Sequence, residues 1–320
     1  MRILIVKTSS LGDVIHNLPV VSDIRKHVSE AVIDWCVEES FAAIPRLHPG
    51  VAEVFPVAIR RWRKRLLCRQ TWREIAAFRA RLRAQRYDLI LDTQGLLKSA
   101  LIAAQASGPR CGFDPHTVRE PLAARFYQRH CAVSVAEHAI TRNRLLAATA
   151  LGYTTDDTPD YGIAAAPAAF SWLPSAPYAV LLTATSRDDK LWPEAHWLEL
   201  GNRLREQGCH AVLPGGSAAE RERAARLAAG IPGAIAALPL DIAALASVLA
   251  GAREVVGVDT GLTHLAVALK VPTVALYTAT DPGLTGVFGA AFHRNLGGKG
   301  QLPTAEAVLD ALLAARATPG

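Results

Sequence analysis

Short apolar segments alternate with longer amphipathic ones along this sequence, and this alternation restricts the fold more than any other feature. In the first half, apolar runs predict strands, and patterns with a period of about 3.6 residues predict helices. The predicted strands cover residues 3–6, 32–35, 54–57 and 89–91, and the predicted helices cover about 14–25, 71–85, 96–105 and 139–151. Such alternation is typical of βαβ units that build a parallel sheet.

The second half repeats the pattern. Strands are predicted at 178–182, 211–213, 255–257 and 273–277, and helices at about 194–206, 218–229, 242–250 and 262–268. A chain of 320 residues exceeds what one core usually serves. We therefore predict an α/β protein of two Rossmann-like domains, 1–155 and 156–320, joined in the turn-rich region 154–174. The two domains should face a central cleft, with functional loops at the carboxyl ends of their strands.

The charge of the chain is unevenly shared between its halves. Residues 1–150 carry 23 Lys and Arg against 13 Asp and Glu, a net charge of +10, whereas residues 151–320 carry 12 against 16, a net charge of −4. This asymmetry indicates that the first half meets a polyanion.

Two further features concern the compartment. Only four apolar residues separate Arg2 from Lys7, too few for an export signal, and the Ala-rich segment 231–251 is interrupted by Pro232, Pro239 and Asp241. We therefore expect a cytoplasmic protein that can touch a membrane surface. Five widely spaced cysteines predict buried free thiols rather than a disulfide framework or a zinc site.

The loop after the first strand, KTSSLGD at 7–13, leads into a helix. Free amide groups and the helix dipole favour an anion at such a turn. The loop contains neither the G-x-G-x-x-G pattern of dinucleotide sites nor the Gly-Lys-Ser/Thr of a P-loop. Asp13 fits two interpretations: a helix N-cap, or a general base at the mouth of the predicted cleft.

A basic run, IRRWRKRLLCR at 59–69, places six cationic side chains around Trp62. It is either a solvated face or a site for an anionic ligand that neutralises the mutual repulsion. Arginine suits phosphate and carboxylate groups, so anionic lipid and a phosphorylated sugar both fit. Nucleic acid ranks last, because a single aromatic residue and no recognition motif accompany the run.

Two loops of the second half are candidates for a phosphate site. Residues 183–193 combine three hydroxyl side chains with Lys190 just before a helix, and residues 258–264 place Asp259, Thr260 and Gly261 at another helix start. His264 follows one turn later. The alternatives are an ordinary hydrophilic connection and a structural histidine.

Together these motifs resemble the lipopolysaccharide heptosyltransferases of glycosyltransferase family 9, most closely the heptosyltransferase I branch. The resemblance runs over nearly the whole chain through KTSSLGDVIHNLP (7–19), IRRWRK (59–64), DTQGLLKSA (92–100), REPLA (119–123), TSRDDKLWPEAHW (185–197), VDTGLTHL (258–265) and TDPG (280–283). It implies a GT-B fold, inversion at the anomeric carbon, no metal and no cofactor. The implied domains are acceptor-binding (1–155) and ADP-heptose-binding (156–320).

The resemblance also implies roles for individual residues. Asp13 corresponds to the catalytic base, Lys190 to a residue that offsets charge on the departing ADP, and Glu220 to the ligand of the ribose. The other implied donor ligands are Thr185, Ser186, Asp259, Thr260, Gly261 and His264, and the implied acceptor ligands are Arg60, Arg63, Lys64 and Arg119.

The implied reaction moves heptose from ADP-heptose to the Kdo of Kdo2-lipid A, at the cytoplasmic face of the inner membrane and without nucleic acid. Two rivals stay open. One is a related GT-B transferase that adds a later heptose or uses another nucleotide sugar, and the other is a non-catalytic protein that binds anionic lipid or RNA.

Overall fold

The computed structural model describes residues 1–289 and 292–317 and divides into two compact units. The first unit is Met1–Ile163, and the second begins at Ala164. The division falls inside the turn-rich region that the sequence indicated, after Ile163 rather than after residue 155. Each unit is described by itself below.

The first unit is a parallel sheet of six strands with helices between them, in the order β3-β2-β1-β4-β5-β6. Its strands are β1 (Arg2–Val6), β2 (Val32–Glu38), β3 (Val51–Val57), β4 (Leu89–Asp92), β5 (Arg110–Phe113) and β6 (Arg129–Cys131). Its α-helices are α1 (Leu11–Ile15), α2 (Leu18–His27), α3 (Ala43–Arg46), α4 (Ile59–Trp62), α5 (Arg69–Arg83), α6 (Leu97–Ala103) and α7 (Ala139–Leu151).

The second unit has the same design, a six-stranded parallel sheet in the order β12-β11-β10-β7-β8-β9. Its strands are β7 (Tyr178–Leu182), β8 (His210–Leu213), β9 (Ile235–Ala236), β10 (Glu254–Val258), β11 (Thr273–Tyr277) and β12 (His293–Gly297). Its α-helices are α8 (Glu194–Glu206), α9 (Ala218–Ala229), α10 (Ile242–Ala250), α11 (Gly261–Ala268), α12 (Pro282–Thr285) and α13 (Ala305–Ala317). The predicted pair of Rossmann-like α/β units is confirmed.

The central strands are buried on both faces, which explains their unbroken apolar sequences. Ile3, Leu4, Ile5 and Val6 of β1 have no exposed surface, and the five residues of β7 are all buried. Helices cover both faces of such a sheet, so these strands do not alternate apolar with polar residues. The core of each unit therefore forms around its first strand.

Each sheet also has a point where the strand order reverses. Strand β1 pairs with β2 on one side and with β4 on the other, and β7 pairs with β8 and β10 in the same way. Ligands of open α/β sheets bind beyond the carboxyl ends of the strands at this position. The loops after β1, β4, β7 and β10 are thus the places to look for chemistry.

The structure corrects several details of the sequence-based prediction. The helix expected at 14–25 is two helices, because Pro19 at the start of α2 lacks the N–H that a continuous helix would use. Strands β5, β6, β9 and β12 and helices α3, α4, α12 and α13 were not predicted. Four cysteines are buried, but Cys68 is exposed, contrary to expectation. Among the described residues, no helix is long and apolar enough to cross a membrane.

Candidate functional site

The loops after β1 and β4 are tied together by side-chain hydrogen bonds. Gln94 Oε1 accepts from the backbone N–H groups of Thr8 and Ser9, at 2.9 and 3.1 Å. The buried carboxylate of Asp92 accepts from the N–H groups of Gln94 and Gly95 and from the Tyr127 hydroxyl. These bonds fix the β1 loop from which Asp13 extends.

Asp13 occupies the third position of helix α1, three residues after Ser10, the residue that caps the helix. Its Oδ2 accepts from the backbone N–H of Ser10 at 2.9 Å and from the Ser10 hydroxyl at 3.1 Å. Asp13 is therefore not the N-cap itself, although it satisfies the cap residue's amide from within the helix. Both bonds go to Oδ2, so within the described chain Oδ1 stays available to a substrate.

Cationic side chains surround Asp13. Arg119 Nη1 lies 3.8 Å from Asp13 Oδ2. Lys7, Arg119 and Arg142 line a cavity of about 40 Å³ that opens beside Asp13. The buried Lys7 ammonium donates to the carbonyl oxygen of Thr93 at 2.8 Å. One carboxylate thus stands among three cations.

The environment keeps the Asp13 carboxylate ionised. Burial by itself disfavours its charge, but Lys7, Arg119 and the Ser10 hydrogen bonds outweigh burial and hold the pKa of Asp13 below its usual value. Burial lowers the pKa of Lys7 to about 8, against the opposing attraction of Asp13. An ionised carboxylate with a free oxygen can accept a proton, and the cations beside it can hold an anionic substrate group.

The basic run forms α4 and the turn that follows it. Arg61 is occupied by ion pairs to Glu39 and Glu74, at 3.0 and 2.7 Å. The Arg60 guanidinium lies over the Phe41 ring, 5.1 Å from its centroid. The predicted acceptor ligands Arg63 and Lys64 are exposed.

Lys98 connects the run with the Asp13 loop. Its ammonium donates to the Ser9 hydroxyl at 2.8 Å. Burial lowers the pKa of Lys98, and the nearby charge of Arg60 lowers it further. Lys98 therefore lies between Arg60, at the start of the basic run, and the loop that leads to Asp13.

In the second unit, several polar side chains of the predicted phosphate site contact Asp259. Its Oδ2 accepts from Lys190 Nζ and from the Thr280 hydroxyl, each at 2.7 Å. His264 Nε2 lies 4.0 Å from Oδ1, and the Thr185 hydroxyl donates to the Asp259 carbonyl oxygen at 3.0 Å. Burial opposes ionisation of Asp259, but His264, Lys190 and Thr280 together hold its pKa far below the usual range.

Local packing holds the two loops of the predicted phosphate site, after β7 and after β10, in place. The Trp192 indole N–H donates to the carbonyl oxygen of Pro303 at 2.8 Å, and its ring packs edge to face against Trp197. On the other loop, the Thr263 hydroxyl donates to the Val258 carbonyl oxygen, and a Cβ at Gly257 would stand 2.2 Å from that hydroxyl. Gly257 thus allows α11 to start directly behind β10.

Helix α11 presents its amino terminus at the same place. Thr260 is the cap residue and Gly261 is the first helical residue, so their N–H groups are among those without a partner inside the helix. These groups and the helix dipole suit a phosphate.

The structure brings some predicted donor ligands together and leaves others apart. Thr185, Lys190 and His264 all meet at Asp259, whereas Ser186 is exposed. Glu220 is the third residue of α9, and its carboxylate accepts from the N–H groups of Gly216 and Ser217 in the loop between β8 and α9.

Lys7, Arg142 and Thr280 lie at these sites, although the sequence motifs predicted no role for them. Lys7 and Thr280 lie in motifs that carry the family resemblance, which is a reason to consider them as site residues. Arg142 had none beyond its position in a predicted helix. Within residues 1–289 and 292–317, no group of three His, Cys, Asp or Glu side chains is arranged to hold a metal ion.

Two parallel-sheet units, each with a polar site at its switch point, form the architecture expected of a GT-B glycosyltransferase. Residues 75–308 match glycosyltransferase family 9 (heptosyltransferase). The chain belongs to this family.

Individual relatives agree. The chain is 51% identical over 294 residues to lipopolysaccharide heptosyltransferase 1 of Pseudomonas aeruginosa, covering 90% of this chain and 82% of the relative. It is 47% identical over 296 residues to the Escherichia coli K12 protein of the same name, covering 90% and 91%. The solved structure of E. coli heptosyltransferase WaaC with ADP superimposes with a TM-score of 0.89 at 43% identity, covering 98% of this chain and all of that one. The predicted fold class is confirmed.

Proposed function

We propose that this protein is an inverting glycosyltransferase that moves L-glycero-D-manno-heptose from ADP-heptose to the Kdo of Kdo2-lipid A during assembly of the lipopolysaccharide inner core. The observation that carries the proposal is the ionised Asp13 carboxylate, with one free oxygen, among Lys7, Arg119 and Arg142. Support for the donor comes from the similar E. coli WaaC, solved with ADP and with ADP-2-deoxy-2-fluoro heptose.

On the donor side, the proposal assigns the pyrophosphate to Lys190 and to the amides at the start of α11. Asp259 is the less obvious member, because a carboxylate repels phosphate. The Asp259 oxygens contact Lys190, Thr280 and His264. We therefore assign Asp259 the role of holding these three side chains in place. Thr185, Ser186 and Glu220 complete the proposed donor set.

On the acceptor side, Asp13 removes the proton from the attacking Kdo hydroxyl. The oxygen forms a bond to the anomeric carbon as the bond from that carbon to the ADP phosphate oxygen breaks. ADP leaves with the electron pair, and Lys190 offsets its charge. Attack opposite the leaving group inverts the anomeric centre without a protein nucleophile.

The anionic groups of the acceptor determine the rest of the assignment. Phosphates and carboxylates of Kdo2-lipid A suit Arg60, Arg63, Lys64 and Arg119, four cations of the first unit. Since Lys190 and the α11 amides supply positive charge at the leaving group, we propose that no metal takes part. We also propose that the enzyme associates peripherally with the cytoplasmic face of the inner membrane.

One assay tests the reaction: purified protein, ADP-heptose and Kdo2-lipid A, with and without EDTA. We expect heptosylated product in both samples, with the anomeric configuration opposite to that of the donor by NMR. Product only from a UDP- or GDP-sugar would contradict the donor assignment. Loss of activity in EDTA, restored by a divalent cation, would contradict the metal-free mechanism.

A further inference from the structure

An exposed apolar cluster interrupts the basic run. Leu67 is fully exposed, and Leu66 and Trp72 are 51% and 57% exposed. They lie in the turn between α4 and α5 and in the first turn of α5. Large apolar side chains at such exposure are unremarkable singly, but a contiguous group indicates an interaction surface.

The cluster is held outward by specific bonds. The Trp72 indole N–H donates to the Leu66 carbonyl oxygen at 2.7 Å, which fixes the turn beside the helix. Trp62, ten residues earlier, points the other way: its N–H donates to Glu74 and its ring packs against Phe78 at the edge of the core. The same segment therefore anchors one tryptophan and presents the other.

Positive charge surrounds the cluster. Residues 59–73 contain seven Lys and Arg and no Asp or Glu. Of the seven, Arg61 alone has an ion pair within the part of the chain that the structure describes. Five are exposed beside the apolar side chains: Arg63, Lys64, Arg65, Arg69 and Arg73. A surface that is both cationic and apolar complements an anionic bilayer, which offers phosphate groups outside and hydrocarbon beneath.

We propose that Leu66, Leu67 and Trp72 form a wedge that enters an anionic bilayer while the surrounding cations bind its headgroups. The inference rests on the proposed peripheral association with the membrane and names the segment that makes the contact. A surface that binds only the sugar and anionic groups of the acceptor has no use for exposed leucines, whereas apolar insertion adds affinity that salt does not screen.

The chain carries its own reporter for this contact. Cys68 lies in the cluster and is exposed, and the other four cysteines are buried. An environment-sensitive maleimide dye should therefore label Cys68 alone, with Cys68→Ser as the labelling control. We expect a blue shift, and quenching by lipid-borne nitroxides, on adding phosphatidylethanolamine–phosphatidylglycerol vesicles but not phosphatidylcholine vesicles. A dye on Leu313→Cys in the Cys68→Ser background, on the exposed face of α13, should keep its emission in water.

Vesicle sedimentation with Leu66→Ser/Leu67→Ser measures the wedge itself. Affinity for the anionic vesicles should fall at least about tenfold, whereas the matched variant Leu302→Ser/Leu313→Ser should bind like wild type. Transfer to a deacylated, water-soluble acceptor should be unchanged, which keeps the catalytic proposal separate. Trp72→Ala should weaken vesicle binding in the same direction.

Each other outcome overturns the wedge. Equal vesicle affinity of wild type and Leu66→Ser/Leu67→Ser, with binding abolished by salt, means contact through charge alone. No vesicle binding by wild type removes the proposed membrane association as well. Self-association of wild type that the double variant lacks makes the cluster a contact between two copies. Tight binding of an RNA oligonucleotide that requires Leu66 and Leu67 assigns the cluster to nucleic acid.

Discussion

Two aspartates stand beside the switch points of the two sheets, and their surroundings suit them to different roles. Asp13 follows β1 and Asp259 follows β10, each at the switch point of its sheet. Both have a lowered pKa. Asp13 keeps an open oxygen and is 23% exposed, whereas Asp259 is 11% exposed and its oxygens face Lys190, Thr280 and His264.

The difference shows that ionisation alone does not make a base. A carboxylate must also reach the proton that it removes. Asp259 is surrounded by side chains that donate hydrogen bonds to it, which suits a residue that positions other side chains. Asp13 has cations close enough to keep it ionised, yet the Arg119 guanidinium and Ser10 both lie on the side of Oδ2, and Oδ1 accepts no hydrogen bond within the described residues.

Asp13→Asn should give the largest effect. Asparagine can still accept the Ser10 amide hydrogen but cannot take a proton, so kcat should fall by about 10²–10⁴-fold while ADP affinity by calorimetry stays the same. Asp241→Asn is the control, because the Asp241 carboxylate also accepts a backbone N–H at a helix start, as the N-cap of α10, and has no catalytic assignment. A loss below about tenfold would reduce Asp13 to a helix-capping residue.

Lys190→Ala should produce the next largest effect, on the donor side of the comparison. Loss of a charge that faces the pyrophosphate should weaken ADP-heptose binding and slow transfer, each by about tenfold or more. Calorimetry with ADP and steady-state kinetics measure the two effects separately. Normal donor affinity together with normal turnover would place the pyrophosphate elsewhere.

Arg60→Ala/Arg63→Ala/Lys64→Ala should raise the KM for Kdo2-lipid A, by about tenfold, with ADP-heptose binding nearly unchanged. The three residues belong to the first unit and the donor loops to the second. Added salt should affect wild type more than the variant, because screening acts on charges that the variant lacks. If the variant uses a deacylated acceptor as well as wild type does, the run is a membrane tether and not an acceptor site.

The sequence predicts some secondary-structure elements better than others. Helices α8, α9 and α10 were predicted to the residue because capping residues and apolar periodicity agree there. Strands β5 and β6 were not predicted because RCGF and RHC are very short, and β12 was not predicted because HRNLG is largely polar. Only their neighbours in the sheet make these segments strands.

The same reasoning applies to side chains. Lys190 and Asp259 follow neighbouring strands, so their loops could be placed at one site from the sequence. Lys7 meets Asn143 and Arg142 across a separation of some 136 residues, through the packing of α7 beside the β1 loop. No periodicity within one segment reports such a contact. The hydrogen bond from Thr280 to Asp259 likewise joins separate segments, because Thr280 lies in the loop after β11.

The smallest expected effect is a shift in pH dependence on replacing Lys7. Lys7 lowers the pKa of Asp13, so Lys7→Met should raise that pKa and move the acidic limb of kcat/KM to higher pH.

At alkaline pH, the effect comes from the charge of Lys7 itself. Since burial lowers the pKa of Lys7 to about 8, wild type loses a positive charge in the cavity as the pH rises through that value, and its KM for the acceptor should increase. Lys7→Met lacks that charge at every pH, so its acceptor KM should be higher near neutrality and flat through pH 8. Arg142→Met is the matched comparison: it removes a cation that stays charged in this range, so the KM should rise while the wild-type change near pH 8 persists. Profiles of kcat/KM and KM against pH for the three proteins decide the matter. An acidic limb that Lys7→Met leaves in place would show that Lys7 only supports the loop through Thr93, and the contrast between Asp13 and Asp259 would then rest on exposure alone.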